Sequence, residues 1–218
     1  MKISKIWILC LIILVNSCNG QNKDNSDKKI EKNKIVEKFD QDIYKKTNYG
    51  FDSYTKEDGT IISMIDFDSL TGGVQRETLG KPSFLTTYKE FYANGNIKKK
   101  ETFVGERTKI GISEYYDEEG NVEKVDENKK FGKIKPEEAL KFLENKKIVN
   151  RSTGAGRLDK DGRPTFEIEF DEKNKNYLIT IIEGKPNTGP FDGMGEPLAF
   201  LPILYKMDGE TGKVEEIK

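Results

Sequence analysis

One short pattern, written twice between Tyr88 and Val125, constrains the fold of this chain more than any other feature. It reads Glu90-Phe91-Tyr92-Ala93-Asn94-Gly95-Asn96-Ile97-Lys98, and then Glu114-Tyr115-Tyr116-Asp117-Glu118-Glu119-Gly120-Asn121-Val122-Glu123. An aromatic pair, a turn containing glycine, an asparagine and a β-branched residue encode a strand, a tight turn and a returning strand. The two glycines stand 25 residues apart, a period typical of stacked supersecondary units. Asn94-Gly95 predicts a type I′ turn, with positive φ at both central positions. Adjacent strand residues point to opposite faces, so Tyr92 and Tyr116 are expected on the outer face as anchors for a protein partner. Tyr54-Thr55-Lys56-Glu57-Asp58-Gly59-Thr60-Ile61 repeats the same order as a degenerate third copy.

These segments resemble the bacterial MORN-variant repeat family, whose units take the form Tyr-Tyr-x-x-Gly-Asn-hydrophobic. The resemblance covers about a sixth of the chain and implies an antiparallel hairpin architecture. The family occurs in envelope proteins and in antitoxin-like proteins, so the resemblance implies a protein-binding role. The only tryptophan is Trp7, in the N-terminal segment, and the denser glycine pattern of eukaryotic MORN repeats is missing; phospholipid binding is therefore not carried over.

Upstream, Lys2 and Lys5 precede an apolar run from Ile6 to Val15 that ends in small and polar residues at Cys18. Ten apolar residues span about 15 Å as a helix, half of a bilayer core, which reads as a signal peptide over 1–17. Val15-Asn16-Ser17-Cys18 resembles the lipobox of bacterial lipoproteins, which implies an acylated Cys18 as lipid anchor and a location in the cell envelope. Residues 18–33 are almost wholly polar and predict a tether.

Composition excludes several functions. There is no histidine, and the only cysteines are Cys10 and Cys18, so imidazole catalysis, imidazole or thiolate metal cages and internal disulfides of the mature chain are ruled out. Without residues 1–17 the chain carries 35 basic against 38 acidic residues, the wrong balance for a nucleic-acid surface. No cofactor motif is found: Gly154-Ala155-Gly156 lacks a third glycine, and Asp159-Lys160-Asp161-Gly162 lacks the remaining ligands of a calcium loop. Asp66 and Asp68 share a strand face and read as solvated around an inward Phe67. Glu167 and Glu169 point the same way, whereas a glycosidase needs its carboxylates on opposite sides of the scissile bond.

The fold expected is α+β and β-rich: antiparallel hairpins over 34–130, then a helix packed on an antiparallel sheet over 131–218. Ile35, Val36, Phe39 and Ile43 predict a short amphipathic helix. Pro136-Glu137-Glu138-Ala139-Leu140 carries helix-start signals, with Ala139, Leu140 and Leu143 as the buried stripe. Strands follow at Phe166–Phe170, Tyr177–Ile182, Leu198–Met207 and Val214–Ile217, with Phe166, Ile168, Phe170, Leu178, Ile179 and Ile181 as core. The order of this half is similar to a PepSY-like module, which implies an extracytoplasmic, non-catalytic role. Two further partner-binding features stand out. Arg151, Arg157 and Arg163 cluster in a loop and turn suited to an acidic partner. Gly184 to Pro197 reads as a broken loop, unable to build strand ladders, around Phe191 and Met194.

The function expected is a non-enzymatic, membrane-anchored protein-binding module, immunity- or antitoxin-like. The alternative is a structural envelope protein contacting glycan or the membrane surface with no dedicated protein partner.

Overall fold

The computed structural model describes residues 31–32, 36–189 and 199–217. Two antiparallel sheets dominate. The larger has eight strands in the order β1-β8-β7-β6-β5-β4-β3-β2, a meander in which β1 (Glu31–Lys32) caps the far edge. Its body is β3 (Ile61–Asp68), β4 (Gly72–Thr78), β5 (Leu85–Phe91), β6 (Ile97–Val104), β7 (Thr108–Tyr116) and β8 (Asn121–Asp126), with β2 (Tyr54–Thr55) at the other edge. The smaller has four strands in the order β12-β11-β10-β9: β9 (Phe166–Asp171), β10 (Asn176–Pro186), β11 (Phe200–Asp208) and β12 (Val214–Ile217).

The β5–β6 and β7–β8 hairpins close on one turn geometry. Tyr92 N–H donates to Asn96 O at 2.8 Å and Gly95 N–H to Tyr92 O at 2.9 Å; Asp117 N–H donates to Asn121 O and Gly120 N–H to Asp117 O, both at 3.0 Å. Gly95 and Gly120 have φ of 82° and 83°. Asn94 does not have positive φ, so the expected type I′ turn is corrected to a type I turn followed by a glycine bulge. The loop is one residue longer than the Asn-Gly pair suggests, and only the glycine needs the left-handed region. The same bonding recurs at Lys56–Thr60 and at Asp159–Arg163, so the turn follows from local chemistry rather than from the repeat alone.

The amphipathic helix expected over Ile35 to Ile43 is also corrected; Ile35 itself lies outside the described residues. Val36 to Phe39 are not helical: Lys38 bridges Asn96 antiparallel, and Ile97 N–H donates to Glu37 O and Phe39 N–H to Gly95 O, both at 2.8 Å. Asp40 then caps α1 (Gln41–Lys46), its Oδ1 accepting from Asp42 N and Ile43 N at 2.9 Å each. An aspartate that satisfies two orphan N–H groups starts the helix where it stands and leaves the preceding residues free to pair with the hairpin turn. Phe39 is thereby placed in a small core, stacked on Phe67 with ring centroids 4.5 Å apart and edge-on to Phe91.

The second helix begins as expected. Pro136 is its first residue, and α2 (Pro136–Asn145) buries Pro136, Ala139, Leu140 and Leu143. They join the main core with three rungs from the inner face of the smaller sheet: Phe166-Ile181-Ile203, Ile168-Ile179-Tyr205 and Phe170-Tyr177-Met207. Phe84, just before β5, and Leu85, Val104 and Ile110 of the larger sheet pack into the same core, which therefore crosses the boundary expected at residue 130.

Candidate functional site

Register shows what the smaller sheet leaves outside. Opposite its buried rungs lie Glu167-Thr180-Leu204-Ile217 and Glu169-Leu178-Lys206-Glu215. Leu178, expected in the core, sits on this outer face and is corrected accordingly. Tyr177 to Ile182 is apolar on both faces save for Thr180, so alternation alone does not say which face is covered.

The β10–β11 ribbon runs on past the rest of the sheet. Pairing with β9 ends at Ile181, with Ile182 N–H donating to Thr165 O at 3.0 Å, and pairing with β12 ends at Leu204. Beyond a bulge the two strands continue together through Lys185↔Leu201 and Pro186↔Phe200, and Asn187 N–H donates to Ala199 O at 2.9 Å. Gly184 permits this: a Cβ there would stand 2.5 Å from Ile203 Cγ1. The reading of Gly184 onward as unable to build ladders is thus corrected for Gly184 to Asn187. Phe191 and Met194 lie outside the described residues.

At the root of this ribbon a cleft of about 680 Å³ opens on the outer face. Ile182, Ala199, Phe200 and Pro202 supply apolar walls, and Phe200 is 41% exposed. Asp159, Glu167, Glu183 and Arg163 form its charged rim. Arg163 is committed at short range, Nε to Asp159 Oδ2 at 3.0 Å and an Nη to Asp161 Oδ2 at 2.8 Å. These bonds hold its guanidinium pKa above the ordinary value and that of Asp159 below, where the Arg163 backbone N–H is the leading cause. Glu167 takes Arg107 at 3.1 Å. Glu183 is exposed and acts on Arg163 only through its field.

The other expected site residues are scattered. Arg151 lies at a separate cleft of about 310 Å³ beside the start of α2, its backbone N–H donating to Glu144 Oε1 at 2.9 Å. Arg157, expected to grip an acidic partner, is corrected to an internal staple. Its Nη atoms donate to Leu79 O (3.0 Å), Ser83 O (3.1 Å), Leu85 O (2.6 Å) and Thr86 Oγ1 (2.7 Å). Tyr92 and Tyr116 do come together, but half-buried rather than on an open face. Tyr92 Oη donates to Tyr116 O at 2.6 Å, and Tyr116 packs on the small core with its Oη donating to Glu114 Oε2 at 3.0 Å. Burial, with that carboxylate, pushes the Tyr116 phenol up to about 12. Cys18 lies outside the described residues.

Among the described residues no group of three or more acidic, cysteine or histidine side chains is placed to hold a metal ion. Asp66 and Asp68 are exposed, and Asp68 Oδ1 accepts the Leu70 and Thr71 N–H groups of its own turn. Compared with protein-family models, with curated proteins and with solved structures, this chain matches none.

Proposed function

We propose that this chain is a non-enzymatic envelope lipoprotein, anchored through Cys18, that binds another protein as an immunity or antitoxin-like factor. The observation that carries the binding role is the outer face of the smaller sheet. There Leu178, Ile182, Leu204 and Phe200 are left partly or openly exposed while the opposite face is a full core, and a rimmed apolar cleft of this kind is where binding is ordinarily found. The two resemblances support the same reading: the MORN-variant family occurs in envelope and antitoxin-like proteins, and the PepSY-like order implies an extracytoplasmic, non-catalytic module. So does the state of the most buried ionisable pair, Lys89 and Glu77: each is held in its charged form, the reverse of a group tuned toward neutrality for proton transfer.

Two experiments test this. A photo-crosslinking side chain at position 200 should give one discrete protein adduct in the native envelope. The same group at Leu70, which is 86% exposed in the turn between β3 and β4, should give none. Equal adduct patterns from both positions would remove the binding role from this face. Independently, Cys18→Ser should abolish acylation and move the protein out of the membrane fraction; a variant that fractionates like the wild type would end the anchor proposal.

A further inference from the structure

The binding reading leaves the partner's chemistry open, and the cleft narrows it. Strand addition is disfavoured at both edges of the β10–β11 ribbon. Beyond Leu204, the β11 edge carries Pro202, which has no N–H to offer; beyond Ile181, the β10 edge carries Glu183, Lys185 and Pro186. Proline and charge on a bare edge are the usual guards against a further strand. A partner therefore meets the face through side chains. About 680 Å³ lies within the range of roughly 300–1,000 Å³ that encloses a small ligand or a short peptide segment.

Charge then selects. The rim sets three carboxylates, on Asp159, Glu167 and Glu183, against the single guanidinium of Arg163, which Asp159 and Asp161 already hold. Farther along the same face Arg107 pairs with Glu169 as it does with Glu167, and Lys206 stands beside Glu215, so the unbalanced carboxylate at the cleft is Glu183. Of the three rim carboxylates Asp159 is bonded to Arg163 and Glu167 to Arg107, while Glu183 has no ion pair within 4 Å among the described residues, so beside the walls of Ile182, Phe200 and Pro202 the field at Glu183 favours a cation.

We infer that the cleft between Ile182, Phe200 and Pro202 takes an extended segment of the partner protein with an apolar side chain at its centre and lysine or arginine on its flanks. The inference rests on the binding role proposed above. The apolar side chain enters between Ile182 and Phe200, and a flanking cation reaches Glu183.

The test uses the full acylated protein in detergent and two labelled peptides of one length, both with a Leu-Phe centre, one flanked by lysines and the other by glutamates. The lysine-flanked peptide should bind, more weakly as salt rises. Glu183→Lys should weaken it about tenfold and Phe200→Asp should remove it, while the glutamate-flanked peptide should gain affinity in Glu183→Lys. Both positions are exposed, and an unchanged melt of each variant excludes misfolding as the cause. Equal binding of the two peptides, or lysine-peptide binding indifferent to both substitutions, overturns the inference. If the crosslink from position 200 captures a partner but the lysine-flanked peptide does not bind, the partner chemistry is wrong and the binding role stands. If the peptide binds as described but no native adduct forms, the cleft chemistry stands and the binding role in the envelope fails.

Discussion

Replacing Arg157 by alanine should lower stability by about 3 kcal/mol, a drop in melting temperature of roughly 6–12 °C for a chain of this size. Its guanidinium ties the loop before β9 to the Leu79–Thr86 segment and bonds four acceptors there, three of them backbone carbonyls. Removing it takes a donor from each of these acceptors in a partly buried site, leaving Leu85 O with only the Leu79 N–H, and net losses of about 1.5–3 kcal/mol per charged hydrogen bond do not sum fully when one side chain makes them all. Burial, against the field of Glu106, lowers the guanidinium pKa to about 10, still far enough above neutrality to keep it charged. Arg157→Lys should recover less than half of the loss, because an ammonium cannot present a planar fork to four acceptors in different directions. Equilibrium denaturation of both variants decides it. A lysine variant as stable as the wild type would show that charge alone matters and that the fork geometry does not.

The parts of the fold that were legible in the sequence are those set by local chemistry. Pro136 with acids in the first turn marks the start of α2, and the alternation of Phe166, Ile168 and Phe170 with Glu167 and Glu169 marks β9 and its inner face. The errors arise where a local signal has two solutions. Asp40 could continue a helical stripe or cap a new helix, and the hairpin turn at Gly95 draws Glu37 and Phe39 into backbone pairing instead. Leu178 and Ile182 belong to a tract apolar on both faces, so only the packing of α2 against the opposite side assigns them outward. The candidate cleft was visible in Arg163 and its turn alone. Ile182 and Phe200 come together through the register of β10 with β11, and nothing in either segment states that register. Arg157 looks in sequence like Arg151 and Arg163; its role depends on a segment more than 70 residues upstream.

Lys89→Met should cost about 3–5 kcal/mol and make stability rise with falling pH on the acid side of neutrality. Lys89 is almost fully buried on the larger sheet, and its Nζ donates to Glu77 Oε1 at 2.9 Å and to Glu37 Oε1 at 2.6 Å. Glu77, equally buried, also accepts from Gln75 Nε2 at 2.6 Å and Lys56 Nζ at 3.3 Å. Burial by itself would raise the Glu77 pKa, but the bonds from Lys89 and Lys56 outweigh it and hold the carboxyl below its usual value. Burial likewise would lower the Lys89 pKa, and Glu37 and Glu77 hold it above. In the wild type, then, the stability contributed by Glu77 is present above its unfolded pKa and is lost as pH falls through the lower folded value. That of Lys89 is present below its unfolded pKa and is lost as pH rises through the higher folded one. Removing Lys89 leaves Glu77 with Lys56, a more distant and more exposed cation, so burial prevails and its folded pKa moves above the unfolded value. The variant should then become more stable as pH falls from about 7 to about 5, where the wild type holds level. Adding Glu77→Leu to Lys89→Met removes the stranded charge and should restore most of the loss, since a buried pair exchanged for apolar side chains costs little. Urea titrations of the wild type and both variants across this range give the answer. A single variant with the wild-type acid profile, or a double variant no more stable than the single, would mean that Glu77 finds enough support from Gln75 and Lys56 and that Lys89 is not what keeps it charged.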